Sequence, residues 1–472
     1  MKTLLVGNGM NIQFGGKAYT NDFIMKRVKF RVKTGESLSL FNGTLQKHEI
    51  LTVLNGFVDI ANGIREKEYD ALVHDQDDQD AQDALDDFKK RYKNRIDAPH
   101  EIMLEDWFFI LHIYFLKYPM DAGVVKKAKQ GFESLILDAI YNSGKIQELY
   151  KNINKKTRRY FQGFDNIFTL NYDNTLDRLT GKAVYHLHGD FNELASSENV
   201  EYVQGYLREE KNETVANPEF PQCYCNALLN YSGKLKKKVA DDNYLANMQA
   251  ETFVDRWEND KDFQKQLERL RTSNSRGYEF IKTKILHPEL KWATNYYFEK
   301  LTNIEGELHI IGMSPNNDGH IFECINSNSK ITKVIFYYYA DKEKKYIEDN
   351  LPHSFYQSED VANLWKKLDC EKKSLNCDYK INKFLGQSIS KFNDLSGDEV
   401  TLEQVLNDLK DVTRSDMNRL CQMVKEDMEM RNPDVKELSE SLASISYIAL
   451  QQGILPTTLY VITAMNFEDI EK

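Results

Sequence analysis

The chain has 472 residues, 62 basic against 73 acidic side chains for a formal charge of −11, and 41% hydrophobic and 12% aromatic residues. That balance excludes an acidic disordered chain and argues against bulk, sequence-independent nucleic-acid binding. No apolar run reaches the ~18 residues of a membrane span, and among the cysteines only Cys223 and Cys225 lie close, which makes neither a disulfide framework nor a zinc ribbon.

The length predicts two or three domains. The opening MKTLLVGNGM carries one lysine and runs into glycines without a signal-peptide apolar region, so the expected compartment is the reducing cytoplasm. Thr3 to Val6 reads as a core strand, expected at the centre of a parallel sheet, and Gly7-Asn8-Gly9 as the turn after it. Glycines at that point let the backbone turn sharply and approach a ligand. The spacing is G-x-G with the next glycine at Gly15, which is not the dehydrogenase fingerprint.

A mostly helical insertion follows, about 44–163. Its run LEDWFFILHIYFLKY, Leu104 to Tyr118, is apolar nearly all round and predicts a buried helix or a subunit contact. The aspartate-rich stretch His74 to Asp87 lacks the glycine and final glutamate of a calcium loop and reads as a solvated helix start.

Short apolar strands return at Asn166 to Leu170, Val184 to Leu187, Glu307 to Ile311 and Lys333 to Tyr339, separated by helical segments. That alternation predicts an α/β doubly wound, Rossmann-like parallel sheet. A polar, charged insertion at about 192–300 reads as an excursion or lid. Beyond Asp341 the strand signal fades, which predicts a domain boundary at 341, a linker over 342–382 and a small helical domain over 383–472, with a capping box at Thr401 to Gln404.

Three clusters sit where strands end. Asn171-Tyr172-Asp173 follows the second strand; Asp173 and Asn174 are also good helix caps. His186-Leu187-His188-Gly189 places two histidines two apart on the third strand, fit for general base work or for holding a metal, although no third ligand set accompanies them. Gly312-Met313-Ser314-Pro315-Asn316-Asn317-Asp318-Gly319-His320 follows the fourth, where Ser314, Asp318 and backbone amides can grip ribose hydroxyls or phosphate, or simply build a turn.

The order of these clusters resembles the sirtuin-type NAD-binding fold. Gly7 to Gly15, G-N-G-M-N-I-Q-F-G, is similar to that family's G-A-G-x-S-x-x-x-G, and closer still to the G-N-G-F-D opening of the AbiH abortive-infection proteins. The resemblance covers about residues 1–340, in islands. It implies a catalytic Asn171 that holds ribose and water, a supporting Asp173, and His188, before glycine, as the catalytic histidine, with His186 unmatched. It also implies an NAD site from Gly7, Asn8, Gly9 and Asn11, with Asp22 and Phe23 near a commonly aspartate–aromatic position, and with Gly312, Ser314 and Asp318 towards the adenosine. The family's deacylases carry four zinc-binding cysteines in two C-x-x-C pairs; this chain has no C-x-x-C. The implied activity is therefore an NAD⁺ glycohydrolase of anti-phage defence, with NAD⁺ as substrate and no metal, working as a homo-oligomer or with an activating sensor subunit, without membrane or nucleic-acid contacts. A non-enzymatic NAD or ADP-ribose binding module, and a deacylase or ADP-ribosyltransferase, are the alternatives.

Overall fold

A computed structural model describes residues 1–370 apart from 77, 192–201, 204–205, 208–218, 231, 316–317 and 352–354. The helical domain expected at 383–472, with its capping box, lies outside the described residues, as does much of the first half of the polar insertion.

Six strands form one all-parallel sheet: β1 (Lys2–Val6), β2 (Asn166–Thr169), β3 (Val184–His186), β4 (Gly306–Ile311), β5 (Ile331–Tyr338) and β6 (Tyr356–Asp360). Their spatial order is β3-β2-β1-β4-β5-β6. The chain thus builds outward from β1 on one side, then returns to its other side and builds outward again, the Rossmann-like doubly wound arrangement. In register, Leu5 pairs with Phe168 on one side and Ile310 on the other.

Side chains alternate between the two faces of a strand, and both faces here are apolar. Leu5, Phe168, Leu308, Ile310, Val334 and Phe336 feed one core layer. Leu4, Val6, Ile167, Ile311, Ile335 and Tyr337 feed the other. Burial on both sides explains why these strands read as continuous apolar runs. A two-residue antiparallel ribbon, Tyr202–Val203 with Tyr206–Leu207, stands apart from the sheet.

The insertion between β1 and β2 is helical and carries its own core, in which Phe57 meets Trp107 edge to face at 5.0 Å and Phe41 meets Phe132 at 5.1 Å. The apolar run forms the helix Asp106–Lys117, with Trp107, Ile110, Leu111 and Ile113 fully buried. Local capping sets the helix starts: Asp78 accepts from the Ala81 amide at 3.1 Å, and Asn154 from that of Thr157 at 2.9 Å. A buried Arg31–Asp138 ion pair, joined by Gln222 donating to Asp138 at 2.7 Å, ties the insertion to the short helical turn Pro221–Tyr224.

The expected linker from 342 needs correction. Asp341–Asn350 is helical, Tyr356–Asp360 is strand β6, and Val361–Lys367 is helical again. The sheet therefore continues past residue 341. An edge strand buries little, and Tyr-Gln-Ser-Glu-Asp accordingly has one buried residue, Tyr356, so it offers no apolar run to read.

Candidate functional site

In sheets of this order, ligands bind beyond the carboxyl ends of the strands where the winding reverses. Here that point lies between β1 and β4. The Gly7 amide donates to the Ile311 carbonyl at 2.9 Å, and the Gly9 amide to the Gly312 carbonyl at 2.8 Å. The two turns touch main chain to main chain. A Cβ on Gly7 would lie 2.6 Å from the Gly312 oxygen, and one on Gly9 would lie 2.5 Å from the Gly312 Cα. Gly312 itself has φ +69°, so the glycines are required by close approach and by backbone conformation.

Asn11, on the helix Gly9–Gly15, is buried and donates its side-chain amide to the Asp173 carboxylate at 2.7 Å. The Asn171 side-chain amide donates to the Gly7 carbonyl at 3.3 Å and to the Asn11 oxygen at 3.4 Å. Asp173 also accepts from the Thr175 amide at 2.9 Å, next to the helix Thr175–Thr180, whose N-cap residue is Asn174, while holding Asn11. Burial pushes the Asp173 carboxyl above the usual range, and its bonds to Thr175 and Asn11 only partly offset that. The one carboxylate thus bridges the start of this helix and Asn11.

The two histidines diverge. His186 is fastened between the Asn171 carbonyl at 3.1 Å and Asp177 at 3.1 Å. Burial lowers its pKa, but Asp177 and Asp190 outweigh that and raise it overall. It acts as a strut beneath the Asn171 loop.

His188 lies beyond the end of β3, its backbone carbonyl accepting from the Leu228 amide at 2.8 Å. Gly189 follows at φ +78°, where a Cβ would sit 2.2 Å from the Asn226 oxygen. The His188 ring has neighbours on both nitrogens: Lys236 Nζ at 3.4 Å from Nδ1, and His320 Nε2 at 3.2 Å from Nε2. Burial first, then the charges of Lys236 and His320, hold His188 well below the ordinary histidine range. Lys236 is itself buried and paired with Glu105 at 2.9 Å.

Asp318 joins this group. The resemblance implies a role towards the adenosine, but its carboxylate lies within 4.8 Å of ligand nitrogens of both His188 and His320. Burial raises its pKa to about 7, against the pull of Lys236. His320 is pushed down to about 3 by burial and by Lys236. The buried Tyr172 hydroxyl and His320 Nδ1 have no hydrogen-bond partner among the described residues.

The remaining expected residues lie at the margins. Asn8 is exposed and donates to the Tyr19 carbonyl at 2.9 Å, closing the glycine turn. Ser314 gives its carbonyl to the Asp318 amide at 3.2 Å. Asp22 sits half-exposed on the first turn of the helix Asn21–Thr34, paired with Lys26 at 2.7 Å, and Phe23 is buried. No contact described for Asp22 reaches Asn171, Asp173 or His188.

Sequence reading missed Glu105 and Lys236, and gave His320 no role although it closes the fourth cluster. Lys236 reads as one of a basic run, Lys234 to Lys238, and Glu105 as a charge at one end of an apolar run. Only the tertiary fold brings them to His188. No protein-family model, curated protein or solved structure matches the chain.

Proposed function

We propose that the chain is an NAD⁺ glycohydrolase that releases nicotinamide and ADP-ribose. One observation carries this reading: four strands adjacent in the sheet, β3, β2, β1 and β4, are followed beyond their carboxyl ends by His188, Asn171, Gly7 and Gly312, on the end of the sheet where winding reverses between β1 and β4. Glycine-rich turns suit a pyrophosphate, and Asn171 suits a ribose hydroxyl and a water. In the reaction the bond between the anomeric carbon and the nicotinamide nitrogen breaks, and its electron pair leaves with nicotinamide. A water oxygen bonds to the anomeric carbon and loses its proton to His188, which burial keeps neutral. Asp173 holds Asn11, and through it Asn171, in place. The absence of any C-x-x-C pair argues against deacylation.

The similarity to AbiH-type proteins extends the proposal to abortive infection, in which NAD loss halts the cell. An activity of that kind needs restraint, by oligomer contacts or by a sensor subunit.

A second reading is favoured by one feature. Both nitrogens of His188 have close polar neighbours, Lys236 and His320, which suits a module that binds NAD or ADP-ribose without cleaving it. Incubating the purified chain with NAD⁺ and resolving the products separates the two. Nicotinamide release that disappears in His188→Ala and Asn171→Ala supports cleavage. Tight nucleotide binding with NAD⁺ recovered intact supports the second reading.

A further inference from the structure

We propose that His188, His320 and Asp318 form a binding site for a divalent transition-metal ion of the imidazole-preferring class, represented by Zn²⁺. This rests on the geometry of three side chains, one of which, His188, is also the base of the NAD reading. One ligand atom from each residue lies within 4.8 Å of the other two. The residues come from two elements: His188 beyond β3, and Asp318 at the cap and His320 on the first turn of the helix Gly319–Ser327.

The spacing of the imidazoles is informative. Two nitrogens bound to one tetrahedral ion at zinc–nitrogen distances of about 2.05 Å stand about 3.3 Å apart. Nε2 of His188 and Nε2 of His320 stand 3.2 Å apart. Their rings lie nearly parallel, at 22° with centroids 5.5 Å apart. Two neutral imidazoles can share one N–H across the same gap. An ion differs in also recruiting Asp318, the carboxylate that completes a two-histidine, one-carboxylate set and leaves a coordination position open.

Burial favours the set as well. His188 and His320 are 3% and 2% exposed, and His320 Nδ1 has no partner among the described residues. With Nε2 on the ion, the Nδ1–H would be left without an acceptor among the described residues, a cost to the site that Asp318 must offset. Lys236 opposes the ion, because its ammonium faces His188 Nδ1, the nitrogen that carries the proton when Nε2 is a ligand. Its shorter contact, to Glu105 at 2.9 Å, gives it a counter-charge on which to remain as the ion enters. An ion on Nε2 also occupies an electron pair of His188, so metal binding and proton abstraction at that nitrogen exclude each other.

The test uses the full chain stripped with a chelator and titrated with Zn²⁺ by calorimetry without nucleotide. The expected result is one ion per chain, with affinity at least about tenfold weaker in His320→Ala and in the near-isosteric Asp318→Asn, since even indirect supports of metal ligands cost that much. Zn²⁺ is expected to raise the melting temperature of the wild type and not that of Asp318→Asn. A Cys223→Ser, Cys225→Ser double variant is expected to keep the ion. No binding, binding unchanged in both ligand variants, loss in the cysteine variant, or equal competition by Mg²⁺ would each overturn the site. Nicotinamide release, measured separately with and without Zn²⁺, reports on NAD⁺ cleavage; an ion bound at His188 Nε2 would bar that nitrogen from accepting the proton.

Discussion

Asn11 and Asp173, 162 positions apart in the chain, are joined by a buried 2.7 Å hydrogen bond at the edge where the sheet's winding reverses. The bond locks the helix after β1 to the loop after β2. Asp173 is 3% exposed and Asn11 2% exposed, so neither can turn to water for a substitute partner.

Asn11→Ala is expected to destabilise the fold by about 1–3 kcal/mol, the cost of leaving a buried acceptor short of a donor. Asp173→Asn is expected to cost a similar amount, because its new amide would face the donating amide of Asn11. Urea unfolding of both single variants and the double variant measures the coupling. A double variant equal to the sum of the singles would show that the bond carries no joint energy.

Gly9→Ala and Gly312→Ala are each expected to destabilise by about 1–3 kcal/mol. The first drives a methyl into the Gly312 Cα, and the second combines a clash at 2.7 Å from the Met10 nitrogen with a left-handed backbone. Thermal melts check both, with Gly43→Ala as a reference: φ is +73° there too, but nothing lies within 4 Å. A Gly9 variant as stable as wild type would mean that the two turns separate freely.

The His186–Asp177 pair has a defined pH signature. The folded-state pKa of His186 lies above its ordinary value of 6.5 because Asp177 and Asp190 outweigh burial. Its contribution to stability is therefore fully present below about 6.5 and is lost as pH rises through the folded-state pKa. The melting-temperature gap between wild type and Asp177→Asn is expected to be larger at pH 6 than at pH 9. A gap independent of pH would assign the effect of Asp177 to packing.

On the cleavage reading, Lys236 sets how basic His188 can be. After burial, its charge is the next cause depressing the imidazole. Removing the ion pair as Lys236→Met with Glu105→Gln is expected to move the acid limb of the pH–rate profile for nicotinamide release to higher pH. A limb that stays in place would show that the ammonium does not tune this base.

Asp138→Ala is expected to cost about 3–5 kcal/mol, since it strands a buried Arg31. Arg31 and Asp138 have side chains 4% and 5% exposed, and Gln222 also donates to that carboxylate. Chemical denaturation gives the value. A loss below about 1 kcal/mol would mean that Arg31 finds solvent.

The strands buried on both faces were legible because each presents an unbroken apolar run, and the positions after them followed from where those runs stop. Strand β6 was not, because an edge strand such as Tyr356–Asp360 is mostly polar. Among the candidate residues, local reading reached Asn171, Asp173 and His188, which share their segments with a strand end. It separated His186 from His188 only through the resemblance; the reason, a salt bridge to Asp177 against neighbours in Lys236 and His320, is tertiary. Glu105 and Lys236 stand 131 positions apart, and no spacing rule links such a pair.

The contact between the turns of Gly7–Gly9 and Gly312 is a base of peptide groups beyond the ends of β1 and β4. Such a base has no rotamers to rearrange and no residue whose exchange would reshape it while keeping the fold. Any change in what binds beyond these strand ends must then arise beside the contact, from the Asn171 loop, the His188 turn or the Asp318–His320 pair, leaving a fixed base under replaceable sides.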